Sequence, residues 1–285
     1  MRLKDALTRG AARLATANVP SSRLNAETLL MFALAVDRAY LYAHPERELT
    51  QDEVARLDEA LVQRGGGVPA QYITGHQEFW GLDLIVTSAV LIPRPETEHV
   101  VETVLRHAAA ADLRAPSILD VGTGSGCIAL ALAGELRHAR VHACDLSPEA
   151  LEIARANAAR LQLDERIEFR SSDLLSAYSA AEPFDFIVCN PPYVAERDAH
   201  TVEAQVRRFE PHMAVFAGET GLEIYRRLIP QASARLRHGG WLVMEIGHGM
   251  EPDVRALLGT WQNISTTLDL QSIPRVVAAQ GNESC

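Results

Sequence analysis

Hydrophobic positions in the first 64 residues recur with the period of an α-helix. In the run LKDALTRGAARLAT, one helix face carries Leu3, Ala6, Leu7, Ala11, Leu14 and Ala15. A second amphipathic run follows two serines, and a third begins at Thr50, with Glu53 at the spacing of a capping box. Three glycines at 65–67 then end the last helix. These patterns predict a helical domain over residues 1–68.

Beyond these glycines the apolar residues change to β-type runs. The runs lie on either side of Gly81 within residues 71–92, which predicts a hairpin. Their apolar residues are Tyr72, Ile73, Phe79, Trp80, Leu82, Leu84 and Val86. The run PRPETE at 93–98 follows, and its prolines and acids are typical of a helix start. We therefore predict a hairpin linker over residues 69–93.

Strand-like and helix-like segments alternate from Pro116 onward. The runs SILDVG, ARVHACD, RIEFR and FDFIVCN have the apolar content of strands, and amphipathic segments separate them. Alternation of this kind builds βαβ units and a parallel sheet. We therefore expect residues 94–285 to form an α/β domain with a doubly wound, mostly parallel sheet.

The acidic composition narrows the classes of partner. The 285 residues carry 27 Lys and Arg against 37 Asp and Glu, a net charge of −10, and Lys4 is the only lysine. Because no basic run is present, a phosphate backbone is disfavoured as the main source of affinity, so we expect no direct nucleic-acid partner. The sequence contains no run of about 18 apolar residues, the length that would predict a membrane span. The N-terminus also lacks the apolar run of a signal peptide.

The cysteines indicate a reducing compartment. Cys127, Cys144, Cys189 and Cys285 are widely spaced and show no C-x-x-C or zinc-type pattern. Free thiols of this kind are typical of cytoplasmic proteins. We expect a cytoplasmic protein without a metal site.

The run ILDVGTGSGCIALAL is typical of a strand, a glycine loop and a helix that together bind a nucleotide-like ligand. Its glycines, Gly122, Gly124 and Gly126, let the backbone approach a ligand at the helix N-terminus. Their spacing departs from the G-x-G-x-x-G of NAD sites, because Cys127 occupies the next position. Asp120 precedes the loop, and a carboxylate there favours a ligand with positive charge, such as S-adenosylmethionine.

Two acids follow the next two strands of this region. Asp145 ends the second strand, where an acid can accept hydrogen bonds from both ribose hydroxyls. Asp173 follows the third strand in the run RSSDLL, where the adenine amine can be read. The ordinary alternatives are an acid at a helix N-terminus for Asp145 and a surface acid for Asp173.

The run IVCNPPYVAE at 187–196 stops a buried strand abruptly. Neither proline can donate to a strand ladder, so the chain is stiffened where Asn190 leaves the strand. In a doubly wound sheet this strand lies next to the first, at the edge where ligands bind. The Asn190 side-chain oxygen and the Pro191 carbonyl then offer two acceptors for a planar –NH2 group, and Pro192 and Tyr193 supply a flat wall for it. We call these four residues the NPPY clamp, and predict that it holds an amino or amide nitrogen for methyl transfer.

The motifs DVGTGSG and CNPPY, with their spacing, resemble those of the class I amino-methyltransferases, which act on DNA, rRNA or protein glutamine. The runs PAQYITGHQEFWGLDLIVTSAVLIPRPETEHVVE and RFEPHMAVFAGETGLEIYRRLI extend the resemblance over nearly the whole chain, to the HemK/PrmC-type peptide chain release factor glutamine methyltransferases. This resemblance implies S-adenosylmethionine as cofactor and S-adenosylhomocysteine as product. It also implies methylation of the glutamine in the Gly-Gly-Gln motif of class I release factors, on its side-chain amide nitrogen (N5). We expect a monomer.

The resemblance assigns roles position by position. It implies that the cofactor is bound by Gly122, Thr123, Gly124, Ser125, Gly126, Asp145, Asp173, Leu174 and Asn190, and that the NPPY clamp is catalytic. At Leu174 some relatives have an aromatic residue, so we expect an aliphatic contact to the adenine instead of stacking. At Ser272, in DLQSIPRVV, relatives tend to have glycine, which points to an altered turn.

Several alternatives stay open at the level of sequence. The nearest is an amino-methyltransferase that acts on a ribosomal protein glutamine or on an exocyclic base amine of RNA or DNA. A non-catalytic sensor of an adenosine ligand and an NAD oxidoreductase are more distant. Arg94 and Glu96 either cap the helix that begins near 96 or lie on the cofactor side. The helices of residues 1–68 either form a stability module or recognise the release factor.

Overall fold

The computed structural model describes residues 1–281, so Cys285 lies outside the described part of the chain. The described residues belong to two compact units. The first comprises Met1–His76 and Glu203–Phe209, and the second comprises Gln77–Val202 and the chain from Glu210 onward. The three domain ranges expected above stay a prediction, and the unit boundary lies between residues 76 and 77.

The first unit is helical. Its main helices are α1 (Leu3–Thr16), α2 (Ser22–Leu34), α3 (Arg38–Ala43), α4 (Gln51–Gly65) and α5 (Ala70–Thr74). Leucines and alanines of α1, α2 and α4 form its core. The capping box of Thr50 and Glu53 is present at the start of α4, with both of its hydrogen bonds. The helix ends at Gly65, and Gly67 has a φ of +96°, so the glycine run ends the helix as predicted.

Two details predicted for this unit are wrong. Tyr72 and Ile73 lie in α5 and not in a β-type run, because their N–H groups bond to the carbonyl of Pro69 and start a helical turn. Ala15 is exposed, and Leu3, Leu7 and Leu14 occupy the buried face of its helix. Periodicity therefore located the helix correctly, but the buried face that it predicted included one residue too many.

The predicted hairpin is present. Its strands are β1 (His76–Phe79) and β2 (Leu82–Ile85), and Trp80 and Gly81 connect them. Both connecting residues have positive φ, 53° and 72°. Such a two-residue turn matches the twist of the flanking strands, and glycine occupies one of its positions without strain.

A seven-stranded sheet forms the centre of the second unit. Its strands are β3 (Ser117–Val121), β4 (Arg140–Asp145), β5 (Ile167–Ser171), β6 (Phe184–Cys189), β7 (Leu236–Glu245), β8 (Gln262–Leu268) and β9 (Pro274–Gln280). The order is β5-β4-β3-β6-β7-β9-β8, with β3 to β7 parallel and β9 antiparallel to both of its neighbours. This confirms the doubly wound, mostly parallel sheet. In the turn between β8 and β9, Ser272 has a φ of 63°, a conformation that favours glycine.

Helices cover both faces of this sheet. The remaining helices in chain order are α6 (Glu98–Ala110), α7 (Cys127–Glu135), α8 (Pro148–Arg160), α9 (Ala204–Phe209, in the first unit), α10 (His212–Val215), α11 (Glu223–Ser233) and α12 (Glu251–Leu257). Two apolar cores result, one under α6, α7 and α8 and one under α11 and α12. Successive residues of β3 divide between them: Ile118 belongs to the first and Leu119 to the second. Within residues 1–281, none of the helices combines the length and apolar character that a membrane span requires.

Candidate active site

The carboxyl ends of β3, β4 and β6 meet at one edge of the sheet. Val121 pairs with Cys144 on one side and with Cys189 on the other, so the loops after these strands leave at the same level. A cavity of about 560 Å³ opens there, within the range of roughly 300–1,000 Å³ that is typical of small-molecule sites. Its lining includes most of the predicted site residues: Gly122, Thr123, Gly124, Ser125, Asp145, Asp173, Leu174, Asn190, Pro191 and Pro192.

The glycine loop is held in shape by the strand ends around it. The N–H groups of Gly122 and Thr123 donate to the carbonyl of Cys144 over 2.8 and 2.9 Å. Asp120 Oδ2 accepts from the Thr123 hydroxyl at 2.6 Å and from the N–H of Ala129 at 3.2 Å. The Asp120 carboxylate at the end of β3 therefore helps to hold the glycine loop in its conformation.

The environment of Asp120 suits a cationic ligand. Its side chain is fully buried, and burial raises its pKa to about 7, with the charge of Asp145 adding to the effect. Oδ1 of Asp120 finds no hydrogen-bond partner among the described residues. A buried carboxylate of this kind is stabilised in its ionised form by a nearby positive charge. The two buried carboxyl groups at this edge of the sheet, Asp120 and Asp145, therefore fit a ligand with positive charge such as S-adenosylmethionine.

Gly126 and Asn157 attach the glycine loop to its surroundings. Gly126 has a φ of +85°, and a Cβ on it would lie 3.3 Å from that of Ala154, so it permits close packing against α8 and does not line the cavity. The buried Asn157 on α8 donates to the carbonyl of Ser125 at 2.9 Å and exchanges two hydrogen bonds with the backbone of Ile85. Sequence reasoning missed Asn157, because an asparagine within an amphipathic helix carries no signal for these partners.

Asp145 lies at the end of β4 and faces the cavity. Its Oδ2 accepts from the N–H of Gly124 and its Oδ1 from the N–H of Ser147, both at 2.9 Å. Burial raises the pKa of this carboxyl group. Each oxygen has a second lone pair, so the group can still accept hydrogen bonds from a ligand.

Asp173 and Leu174 form the next part of the wall. Asp173 pairs with Arg227 at 2.6 Å, and both side chains are about half exposed. Leu174 has a φ of 51°, a strained conformation for leucine, and its carbonyl accepts from the hydroxyl of Ser172 at 2.7 Å. Both residues line the cavity, and their roles toward the adenine stay predictions.

The NPPY clamp follows β6. Asn190 Nδ2 donates to the hydroxyl of Thr97 at 3.0 Å, and that hydroxyl donates to Glu245 at 2.6 Å. Tyr193 does not line the cavity: its ring lies against Gly247, where a Cβ would come within 2.8 Å of the ring. The stacking role of Tyr193 stays a prediction, and the contact with Gly247 gives the ring a packing role.

The segment after α9 lies against the clamp. Val194 and Phe216 form a parallel bridge, and the N–H of Ala217 donates to the carbonyl of Val194 at 2.9 Å. A Cβ on Gly221 would clash with the carbonyl of Tyr193, so this position requires glycine. Met213 and Phe216 of this segment line the cavity. The run HMAVFAGETG thus forms one wall of the candidate site.

The side chains of Arg94 and Glu96 in the PRPETE run make specific contacts with other parts of the chain. Arg94 lines the cavity and pairs with the buried carboxylate of Glu210, which also accepts from the N–H of Ile92 at 3.1 Å. Glu96 lies 3.8 Å from Arg275 of β9. Arg94 is the N-cap residue of the 3₁₀ turn Pro95–Thr97, and its side chain makes no capping hydrogen bond. Of the two open readings for Arg94, the structure supports a location at the cavity.

Family models match both parts of the chain. The PrmC N-terminal domain model matches residues 5–75, and the methyltransferase small domain model matches residues 99–210. The second range contains the glycine loop, Asp145 and the NPPY clamp.

Full-length relatives make the likeness specific. A release factor glutamine methyltransferase of Koribacter versatilis is 55% identical over 280 residues, which cover 98% of this chain and 99% of that protein. The chain belongs to the release factor glutamine methyltransferase family. Another member, from Chlorobaculum tepidum, is 45% identical over 248 residues and covers 85% of this chain and 84% of its own.

Solved structures support the fold. The catalytic domain of hMettl16 aligns with a TM-score of 0.58 at 17% identity, over 82% of this chain and 84% of its own. A methyltransferase from Pyrococcus furiosus aligns with a TM-score of 0.53 at 16% identity, over 71% of this chain and 90% of its own. The class I methyltransferase fold is therefore shared well beyond the family.

Proposed function

We propose that this chain transfers a methyl group from S-adenosylmethionine to the side-chain amide nitrogen of the glutamine in the Gly-Gly-Gln motif of class I peptide chain release factors. The observation that carries the proposal is the location of Asn190 and Pro191 on the same cavity as the glycine loop. An amide acceptor pair beside a site for a cationic nucleoside suits methylation of an –NH2 group. The name shared by the full-length relatives supports glutamine as the acceptor.

The cofactor would be held by the glycine loop and by the acids around it. Asp145, Asp173 and Leu174 line the same cavity. In this proposal Asp145 accepts from the ribose hydroxyls, and Leu174 and Asp173 contact the adenine. S-adenosylmethionine, when bound, supplies an electrophilic methyl group and leaves as S-adenosylhomocysteine. The carboxylate of Asp120 beneath the loop stabilises positive charge in this region.

The NPPY clamp would position the glutamine. Asn190 Oδ1 and the Pro191 carbonyl accept the two amide hydrogens, which points the nitrogen lone pair away from both acceptors. Orientation and electrostatic stabilisation of the developing positive charge on nitrogen then account for the rate enhancement. A methylated amide nitrogen loses its proton readily, so the site requires no strong base.

The partner would be recognised as a protein. Residues 1–68 form the core of the helical unit and are proposed to bind the body of the release factor. The net charge of −10 disfavours recognition through RNA. Because release factors act in translation, the reaction would take place in the cytoplasm.

The test is transfer of labelled methyl from S-adenosylmethionine to a purified class I release factor, with the label located by peptide mass spectrometry. The matched control is the same factor with its Gly-Gly-Gln glutamine changed to alanine. Label on that glutamine, absent from the control, is the expected result. If cofactor binds normally and neither protein is labelled, the substrate is wrong, and a ribosomal protein and then RNA are the next acceptors to assay.

A further inference from the structure

Three side chains from distant parts of the chain form a hydrogen-bonded series behind the clamp. Asn190 Nδ2 lies 3.0 Å from Thr97 Oγ1, which lies 2.6 Å from Glu245 Oε2. Asn190 directly follows β6, and Glu245 is the last residue of β7. These strands are neighbours, since Cys189 of β6 pairs with Met244 of β7. Thr97 and Glu245 are buried, with 2% and 3% exposure. Asn190 and Thr97 both line the cavity, and Glu245 lies behind them.

The protons of this series determine which way the Asn190 amide faces. An ionised carboxylate only accepts, so the single hydroxyl proton of Thr97 is donated to Glu245. Thr97 Oγ1 can then only accept from Asn190, which places Nδ2 toward Thr97. The oxygen of the same amide is then free to face the cavity, where the glutamine would bind. With a hydrogen-bonding partner of the opposite polarity, the amide would present –NH2 to the substrate and repel its amide hydrogens.

Thr97 is the group that donates a hydrogen bond to the Glu245 carboxylate. Two cations lie nearby, but Arg94 is paired with Glu210 and Arg275 with Asp269. The other titratable groups that interact with it electrostatically are Glu96, Tyr193, Tyr225, Cys127 and Cys189. Thr97, in turn, accepts no capping bond from α6, so its hydroxyl has no competing role in that helix.

We propose that Thr97 is a positioning residue, which orients the Asn190 amide for glutamine binding and is itself held by Glu245. This inference rests on the proposed function and adds a residue of the PRPETE run to the machinery. It requires Thr97 to act through Asn190 and not through the cofactor. The predicted signature is a lower kcat with unchanged affinity for S-adenosylmethionine.

A double-mutant cycle tests the coupling between these residues. Thr97→Val keeps the shape and removes the hydroxyl, and we expect kcat on the release factor to fall about tenfold, as for the loss of one orienting hydrogen bond. Thr97→Ser keeps the hydroxyl and should retain kcat within about twofold. In the Asn190→Ala background, Thr97→Val should change the remaining rate by less than about twofold, because the amide it orients is gone.

Two further measurements separate this inference from folding effects and from the proposed function. The double variant Thr97→Val, Glu245→Leu leaves no buried carboxylate without a donor, so we expect it to fold even where Thr97→Val alone does not. It should show the same loss of kcat. If the wild-type protein methylates the release factor but Thr97→Val matches it, the positioning role is overturned. A tenfold loss that persists in the Asn190→Ala background also overturns it. An inactive wild type, by contrast, refutes the proposed function itself.

Discussion

The carboxylate of Asp145 accepts a hydrogen bond of 2.9 Å from the N–H of Gly124, which ties the end of β4 to the glycine loop after β3. This contact joins two motifs that are 21 residues apart in the sequence. It gives Asp145 two roles: it supports the loop, and it presents lone pairs to the cavity. Variants at this position therefore report on both.

Asp145→Ala should weaken binding of S-adenosylmethionine by roughly 1–3 kcal/mol, because ribose hydroxyls lose a charged acceptor. Titration calorimetry measures the change. Asp145→Asn is the matched control: it retains an oxygen that can accept from Gly124, so it separates loop support from charge. Unchanged affinity in the alanine variant would show that the ribose does not lie at the end of β4.

Asn190→Ala should lower kcat by about 10²–10³-fold, because it removes an acceptor that orients the glutamine. Cofactor affinity should be nearly unchanged, because the other residues implied to bind the cofactor are all retained. Steady-state methylation of the release factor gives kcat and KM. Arg197→Ala, at an exposed position further along the same loop, is the control and should resemble the wild type. Full turnover in Asn190→Ala would refute the clamp.

Asp173 and Arg227 can be distinguished by a pair of variants. If Asp173 reads the adenine amine, Asp173→Ala should weaken cofactor binding about 3- to 10-fold, as for one hydrogen bond. Arg227→Ala should then change it by less than about twofold, since a half-exposed ion pair contributes little. Equal losses in both variants would instead assign the effect to the ion pair.

The pH dependence of kcat should report on Glu245. Burial raises its pKa from the usual value of 4.5 to about 7. Glu245 is mostly ionised above that pH, and the ionised carboxylate can only accept the Thr97 proton. We therefore expect kcat to fall as the pH drops below about 7. Glu245→Gln retains an oxygen that accepts from Thr97 at every pH and should flatten the fall. The profile is measured at saturating cofactor, because Asp120 also has a pKa of about 7. An identical profile in the glutamine variant would exclude Glu245 as its source.

Asn157→Ala should lower the free energy of unfolding by roughly 2–4 kcal/mol, because it leaves buried backbone groups of Ile85 and Ser125 without partners. Chemical denaturation measures the loss. Glu152→Ala, on the exposed side of the same helix, is the control and should change stability by less than about 0.5 kcal/mol. Equal stability of the two variants would mean that water satisfies these groups.

Much of the candidate site was accessible from local sequence signals. The strand, glycine loop and helix around Gly122 were predicted at their observed positions, and so was the adjacency of β3 and β6. The prediction of a strand at Tyr72 and Ile73 was wrong, because the periodicity of a short apolar run does not distinguish a strand from one helical turn. Tyr193 was expected in the cavity wall, but the side on which its ring lies depends on Gly247, which is 54 residues further along the chain.

The sequence by itself determined most of the kinds of element and the positions of the glycine loop and of the NPPY run, because periodicity, glycine spacing and proline chemistry act over a few neighbouring residues. Only the tertiary structure decided which side chains surround Asn190. Thr97 lies 93 residues before it, and Glu245 lies on a strand that is brought alongside by the sheet order. Such contacts depend on the packing of helices and strands that are remote in the chain, and no local pattern encodes them.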